Sequence, residues 1–233
     1  MIEHIPFEQL GKANHGWLNA NHHFSFANYY NPKRMGFGTL RVINDDIIAP
    51  NTGFAPHPHD NMEIITYVRS GSVSHKDSVG NSGVTKQGQV QVMSAGTGIV
   101  HEEYNRSNKD LTLYQIWIQP NERDVTPRWG TKDFPAKRDT KLPLLVSGFS
   151  EDNDALFIHQ KARIYGGKIK AGTTFTHPIN HQVYVLASSG EFTVENEYST
   201  AQMKKGDGAQ ITMSQTFKIT ARTDCEIVII DAP

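Results

Sequence analysis

The sequence has little cysteine, no long apolar run and almost no net charge. Cys225 is the one cysteine in 233 residues, which excludes an internal disulfide framework and a thiolate metal cluster and is typical of a reducing compartment. Lys and Arg total 23 against 24 Asp and Glu, so the net charge of −1 creates no field that attracts nucleic acid or acidic lipid. The longest apolar run, Ile227–Ile230, is far shorter than the roughly 20 residues of a membrane helix. The N-terminal residues also lack a signal-peptide pattern. We therefore expect a cytoplasmic protein that binds neither nucleic acid nor membrane.

Helical periodicity is scarce as well, and no window carries a long apolar period of 3.6 residues. Period-two alternation of β-branched and aromatic residues recurs instead, for example over 38–43, 112–118 and 225–230. Glycine- and asparagine-rich turn signals separate these segments. The pattern predicts an all-β sandwich or barrel.

The sequence also indicates an internal duplication. Glycines 53, 71 and 88 recur at similar intervals as glycines 172, 190 and 206, at places where a β-barrel corner or hairpin needs a tight bend. Residues 120–143 are rich in charge and proline and are typical of an interdomain connection. We predict an N-terminal barrel over 1–119, a connection over 120–143 and a C-terminal barrel over 144–233.

Histidine is abundant, with 11 residues, and two short motifs have metal-ligand spacing. In an extended chain His57 and His59 project from the same face, and so do His101 and Glu103. If the two strands are neighbours inside a barrel, three imidazoles and one carboxylate converge, a donor set that suits Fe(II), Ni, Co, Mn, Cu or Zn. Pro56 and Pro58 remove ladder donors, which favours an irregular edge strand for the first pair.

Several neighbouring residues have alternative interpretations. Glu63 has three interpretations: an extra metal ligand, a residue that orients a ligand imidazole through its second ring nitrogen, or an ordinary strand carboxylate. Phe54, Met62 and Met93 are near the candidate ligands in sequence and are interpreted first as core residues. His75, Asp77 and Ser78 have the residue types of a catalytic triad but no nucleophile elbow, and we interpret them as the polar end of a hairpin.

Two motifs then carry a family resemblance. Gly53-x3-His57-x-His59-x3-Glu63-x7-Gly71 resembles the first cupin motif, and Gly88-x5-Ser94-x-Gly96-x4-His101-x3-Asn105 resembles the second. Together with segments 15–17, 24–30, 40–46, 93–103 and 114–118, these motifs resemble the pirin family, and within it the short bacterial members described as quercetin 2,3-dioxygenases. The resemblance is specific in the first half of the chain and weaker in the second.

The resemblance implies a bicupin, with two antiparallel β-barrel (jelly-roll) domains in one chain and one divalent transition metal, Fe(II) first, in the N-terminal barrel. It implies His57, His59, His101 and Glu103 as ligands, which leaves Glu63 the orienting role. Alignment of the glycines places Thr176 and Pro178 opposite His57 and His59, and Ile219 and Ala221 opposite His101 and Glu103. We therefore predict a C-terminal barrel without metal ligands, in which His177 and His181 are structural.

Two functions follow from the resemblance. The first is a dioxygenase in which the metal acidifies the 3-hydroxyl of a flavonol, Glu103 takes the proton, and O2 opens the central ring with release of carbon monoxide. The second is a metal-binding regulatory module that acts through a protein partner without turnover. Metal-assisted chemistry on another small molecule is a third alternative.

Overall fold

The computed structural model of the chain describes residues 1–134 and 141–233. Almost all regular structure in these ranges is antiparallel β-strand, and one short 3-10 turn spans Phe7–Gln9. No helix in the described part of the chain has the length and apolar character needed to cross a membrane.

The strands are numbered in chain order. The first twelve are β1 Ile2–Ile5, β2 Gly11–Asn14, β3 Leu18–His22, β4 Leu40–Ile48, β5 Thr52–His59, β6 Glu63–Ser70, β7 Ser72–Asp77, β8 Ser82–Lys86, β9 Gln89–Ser94, β10 Ile99–Asn105, β11 Leu111–Ile118 and β12 Arg128–Asp133. The next ten are β13 Leu144–Ser147, β14 Leu156–Phe157, β15 Arg163–Ile169, β16 Thr174–Pro178, β17 Gln182–Ser189, β18 Glu191–Glu195, β19 Thr200–Lys204, β20 Gly208–Ile211, β21 Thr216–Ala221 and β22 Cys225–Ala232.

The chain forms two compact units. The N-terminal unit contains residues 11–134 and 156–160, and the described part of the C-terminal unit contains residues 1–10, 141–155 and 161–233. The predicted boundaries differ from this division, because β1 pairs with β20 and so places the first ten residues in the C-terminal unit. Part of the predicted connection, 128–133, forms β12 beside β9, while residues 135–140 of it lie outside the described residues.

Each unit is a jelly roll of two packed sheets, and the two units share one strand order. In the N-terminal unit the sheets run β12-β9-β6-β11-β4-β3-β2 and β5-β10-β7-β8. In the C-terminal unit they run β1-β20-β17-β22-β15-β13 and β16-β21-β18-β19. The order β5-β10-β7-β8 therefore recurs as β16-β21-β18-β19, and β9-β6-β11-β4 recurs as β20-β17-β22-β15. The prediction of an all-β bicupin is confirmed, with packed sheets rather than closed barrels.

The hydrophobic cores are built from the strands that the apolar alternation in the sequence predicts. Residues 227–232 of strand β22 form a continuous buried run, so side chains on both faces of this strand are shielded from solvent. The core of the C-terminal unit joins side chains of both sheets, such as Phe192, Phe217 and Ile229. In the N-terminal unit an apolar cluster fills one part of the interior, with Leu111 and Leu113 on one sheet and Val73 on the other. A second apolar cluster contains Ile64, Met93 and Ile99, and polar side chains line the interior elsewhere.

Candidate metal centre and cavity

Strands β5 and β10 bring the predicted histidines together. They are antiparallel neighbours, and His57 lies directly opposite His101 in the register. A bulge follows, since Glu103 is opposite Phe54, which leaves an extra residue on β5. Strand β5 is the outer strand of its sheet, as the prolines in it predict.

The three imidazoles form one cluster. The ligand atoms of His57, His59 and His101 all lie within 4.8 Å of one another. The Nε2 atoms of His57 and His101 are 3.1 Å apart, and the buried Nε2 of His59 has no hydrogen-bond partner. The ring of His59 also packs edge-on against Trp117 at 4.9 Å.

The hydrogen bonds around His57 indicate which nitrogen is free. Its Nδ1 lies 2.8 Å from the carbonyl oxygen of Ala55, and because a carbonyl only accepts, Nδ1 carries the proton and donates it. In the neutral ring Nε2 is then an unprotonated lone pair that faces His101. Two nitrogens that each bind one ion at about 2.1 Å lie about 3 Å apart when the angle between them is near 90°. The observed spacing and the donor chemistry therefore fit a transition metal.

Burial favours the neutral form of His59 and His101. Burial and the neighbouring His57 lower the pKa of His59 to about 4. Burial, followed by the charges of His57, His59 and His75, lowers the pKa of His101 well below its ordinary value. Neutral imidazole is the form that binds a metal ion.

Glu103 lies beside the cluster in a second group of metal-ligand type, which contains His75, His101 and Glu103. The Nε2 group of Gln91 donates to Glu103 Oε1 at 2.6 Å, and that of Gln115 donates to Oε2 at 2.6 Å. Burial raises the pKa of Glu103 to about 7, although the hydrogen bonds from Gln115, Thr66 and Gln91 oppose that effect. Oε1 also accepts from Thr66 Oγ1 at 3.4 Å, so Oε2, with Gln115 as its donor, is the oxygen that keeps a further lone pair for a cation or a proton.

A row of polar side chains crosses the sheet under Glu103. Strand pairing aligns six residues on adjacent strands at one level: His22, Asn44, Gln115, Thr66, Gln91 and Thr131. The Nδ1 of His22 lies 2.7 Å from Asn44 Oδ1, and Gln91 Nε2 donates to Thr66 Oγ1 at 3.1 Å. We call these six residues the polar row. It satisfies and orients a carboxylate that would otherwise be costly to bury.

A cavity of about 590 Å³ opens onto the cluster within the N-terminal unit. Three consecutive residues at one end of the polar row line this cavity together with the candidate ligands His57, His59, His101 and Glu103. They are His22, Asn44 and Gln115. Aromatic and aliphatic side chains form most of the remaining wall, including Trp17, Leu18, Phe26, Tyr29, Phe54 and Trp117. The volume and the mainly apolar wall are those of a small-molecule site.

The remaining residues singled out in the sequence are Glu63, Met62, Met93 and Phe54, and they lie in different environments. Glu63 belongs to neither histidine group; its Oε2 accepts from Ser94 Oγ at 2.8 Å, and the backbone of His159 donates to it. Met93 lies in the core with Met62 packed against it, as predicted, whereas Phe54 lines the cavity.

Sequence reasoning missed the residues that hold Glu103. Gln115 and Thr66 stand at inward positions of strands whose other inward residues are apolar, and that contrast was the available signal. Strand pairing alone reveals that Gln91 stands beside them.

The C-terminal unit carries counterparts of the same positions. His177 lies opposite Phe217 as His57 lies opposite His101, and Ile219 takes the place of Glu103. The register thus corrects the glycine alignment: the counterpart of His57 is His177, and that of His101 is Phe217. Around Ile219, the positions of Gln91, Thr66 and Gln115 are occupied by Ala209, Val185 and Ile229. Both groups of metal-ligand type among the described residues are in the N-terminal unit.

Two cupin jelly rolls, one of which carries a histidine and glutamate site beside a cavity, define the class of two-domain cupin proteins. Residues 5–118 match the family model described as Pirin, and residues 144–232 match that of the quercetinase C-terminal cupin domain. The chain belongs to the pirin family.

Three relatives are similar over nearly their full lengths. A pirin-like protein of Caulobacter vibrioides is 49% identical, with 100% of both chains covered. A quercetin 2,3-dioxygenase of Escherichia coli is 42% identical over 97% of this chain and 96% of its own. The crystal structure of the bacterial pirin YhhW in complex with nickel(II), also from Escherichia coli, matches with a TM-score of 0.92 and 41% identity, and covers 100% of this chain and 99% of that one.

Proposed function

We propose that this protein is a metal-dependent dioxygenase that cleaves the central ring of flavonols such as quercetin with O2 and releases carbon monoxide. One observation carries the proposal: the imidazole nitrogens of His57, His59 and His101 lie within 4.8 Å of one another in the wall of a mainly apolar cavity. The relative named quercetin 2,3-dioxygenase supports the choice of substrate and reaction. The proposal includes a cytoplasmic location, which the free, buried Cys225 supports.

The proposed ligands of the metal are His57, His59, His101 and Glu103. Fe(II) is the proposed ion, and Ni, Co, Mn, Cu and Zn suit the same donors; a relative of known structure binds nickel(II). When bound, the metal supplies Lewis acidity that lowers the pKa of a substrate hydroxyl.

In this proposal Glu103 also receives the proton of that hydroxyl. The amides of Gln91 and Gln115 hold its two oxygens, so the carboxylate stays oriented towards the cavity, and Oε2 keeps a lone pair for the proton. A glutamine at this position would keep the shape and remove both the charge and the proton acceptor.

The cavity wall supports a flat aromatic substrate. The Trp17 and Phe54 rings pack edge to face at 5.1 Å, and Phe26 and Trp117 do so at 5.4 Å, which gives rigid apolar surfaces. Asp46 and Asn44 supply polar groups on the same wall. A hydroxylated ring system matches this combination of surfaces.

Anaerobic reconstitution tests the proposal. Metal-free protein is loaded with Fe(II), Ni(II), Co(II) or Mn(II), and oxygen uptake and carbon monoxide release are measured after quercetin is added, with Glu103→Gln as the matched variant. We expect uptake and release that require the metal and are lost in Glu103→Gln. One equivalent of metal without turnover by any of the four ions would contradict the enzyme proposal and favour a regulatory module with a protein partner.

A further inference from the structure

Two buried side chains behind His101 form a hydrogen-bonded chain with it. His101 Nδ1 lies 3.4 Å from His75 Nδ1, and His75 Nε2 lies 2.9 Å from Asp77 Oδ2. The side chains of His75 and Asp77 are fully buried. Both residues are on β7, where Asp77 is opposite His101 and His75 is opposite Glu103.

Asp77 determines which atoms donate and which accept in these hydrogen bonds. Its carboxylate accepts the backbone N–H groups of Val79 and Asn81 at 3.1 and 2.9 Å, and the side-chain amide of Asn81 at 2.9 Å. A carboxylate surrounded by donors only accepts, so the proton between Asp77 and His75 lies on His75 Nε2.

The remaining protons follow from the chemistry of neutral imidazole, which carries one N–H and one lone pair. With Nε2 protonated, His75 Nδ1 is an acceptor, and the proton between the two rings lies on His101 Nδ1. His101 Nε2 is then the lone pair that faces His57 Nε2. The His75 ring is held for this task by parallel stacking on Trp129, at 4.9 Å and 8°.

We propose that Asp77 and His75 are positioning residues that fix His101 in the tautomer with an unprotonated Nε2, the form able to bind a cation. The inference rests on the proposed metal-ligand role of His101. It gives a task to two residues whose types suggest only a polar hairpin end.

We expect Asp77→Asn to reverse the direction of the hydrogen bonds that join residue 77, His75 and His101. The asparagine oxygen keeps the backbone donors of Val79 and Asn81, and its amide nitrogen replaces Oδ2 and donates to His75 Nε2, while the Asn81 amide turns to present its oxygen. His75 then carries its proton on Nδ1 and donates to His101 Nδ1, which leaves the proton of His101 on Nε2. A second variant, His75→Phe, keeps the stacking on Trp129 and removes the acceptor of His101 Nδ1.

Two measurements test the proposal. Long-range nitrogen–proton NMR spectra of metal-free protein labelled at histidine report which nitrogen of His101 is protonated, with the signals assigned from those lost in His101→Gln. Competition with a chelator gives the affinity for Ni(II) alone. We expect an Nδ1–H tautomer in the wild type, an Nε2–H tautomer in Asp77→Asn, and about a 10–100-fold weaker Ni(II) affinity in both variants.

Asp231→Asn is the matched control. Asp231 is also buried and accepts the backbone N–H groups of Asn180 and His181 and the Asn180 amide, but in the C-terminal unit. We expect it to leave the His101 tautomer and the Ni(II) affinity unchanged.

An Nε2–H tautomer in the wild type, or an unchanged tautomer in both variants, would overturn the proposal. If the wild-type protein shows the predicted tautomers but binds no Ni(II), the metal site is refuted, while the role of Asp77 and His75 in fixing the His101 tautomer is supported. If Asp77→Asn does not fold, a mixed tautomer in His75→Phe supports the proposal and an unchanged one overturns it.

Discussion

At the scale of single residues, the candidate metal centre depends on which nitrogen of each histidine ring carries the proton. His57 donates its one proton to a backbone carbonyl, so its other nitrogen points unprotonated at His101. In the tautomer proposed for His101, its Nε2 lone pair faces that of His57, and two such lone pairs repel unless a cation lies between them. The cluster is therefore arranged for a ligand rather than for its own packing.

His57→Ala and His177→Ala form a matched pair that tests this view. They occupy equivalent positions of the two units, but His177 packs against the rings of Tyr165 and Phe217. We expect His57→Ala to abolish stoichiometric Ni(II) binding with little loss of stability, as measured by calorimetric titration and urea unfolding. His177→Ala should bind Ni(II) normally and lose about 2–4 kcal/mol of stability, because it leaves a hole in a core. Equal metal binding by both variants would contradict the site.

Glu63 predicts a pH dependence of stability. Burial raises its pKa to about 7, although Ser94 and the His159 backbone donate to it and Arg128 is near. The folded state therefore favours the neutral acid: the contribution of Glu63 is most favourable below about pH 4.5, declines as pH rises through 7 and is then constant. Glu63→Gln removes this decline. In metal-free protein, the free energy of unfolding of the variant relative to wild type should rise by up to about 3 kcal/mol between pH 4.5 and 8. A difference that does not change with pH would contradict the assignment.

At the scale of elements, the site depends on how closely β5 approaches β10. A side chain at Gly53 would overlap the carbonyl oxygen of Glu103 and the backbone of Tyr104. Glycine is thus required in β5 for close contact between strands, not for an unusual φ. The bulge beyond it turns His57 towards His101.

Gly53→Ala should therefore separate the two strands. We expect a loss of roughly 1–3 kcal/mol in the free energy of unfolding and weaker Ni(II) binding, since His57 moves away from His101. Gly130→Ala on β12 is the control, because the atom nearest to its new methyl group would be Leu156 Cδ2 at 4.0 Å. If the Gly53 variant is as stable as the Gly130 variant, β5 and β10 accommodate the new methyl group without cost, which would contradict this prediction.

The strand elements also show how far sequence reasoning reaches. Alternation and turn signals predicted the all-β duplication, and five of the six repeated glycines have positive φ; Gly53 is the exception. The histidine cluster was predictable because i, i+2 spacing fixes a shared face of a strand. The counterparts of His101 and Glu103 were misaligned because β20 is two residues shorter than β9, so a count from Gly206 overshoots the later positions by two. The partners of Glu103 come from three other strands and follow only from the sheet register.

At the scale of the whole molecule, the chain order and the folded units do not coincide. The first ten residues complete the C-terminal unit, where Asp207 binds them: it accepts from His4 Nε2 at 2.9 Å and from the backbone N–H of Phe7 at 2.9 Å. Asp207 also accepts from the backbone of Lys204 and is fully buried.

Asp207→Ala should loosen this attachment. The backbone donors of Phe7 and Lys204 would lose a charged acceptor, and we expect a loss of about 2–4 kcal/mol in stability. Hydrogen exchange should become faster in β1 and β20, while Ni(II) binding stays as in wild type. Glu8→Ala, which removes an exposed ion pair with Lys204, should change stability by less than about 1 kcal/mol. Unchanged exchange in β1 would contradict the role of Asp207.

The polar row gives the duplication a further meaning. The C-terminal unit repeats the strand order but fills the positions of Gln91, Thr66 and Gln115 with Ala209, Val185 and Ile229. One chain thus contains the same jelly-roll scaffold twice, once with the candidate ligands and their polar partners and once with apolar residues at most of these positions. Transplanting ligands into the C-terminal copy would require histidines at 179 and 217 and a glutamate at 219, because His177 is already there. The glutamate would also need the three polar neighbours, so an engineered second centre is a six-residue graft rather than a three-residue one.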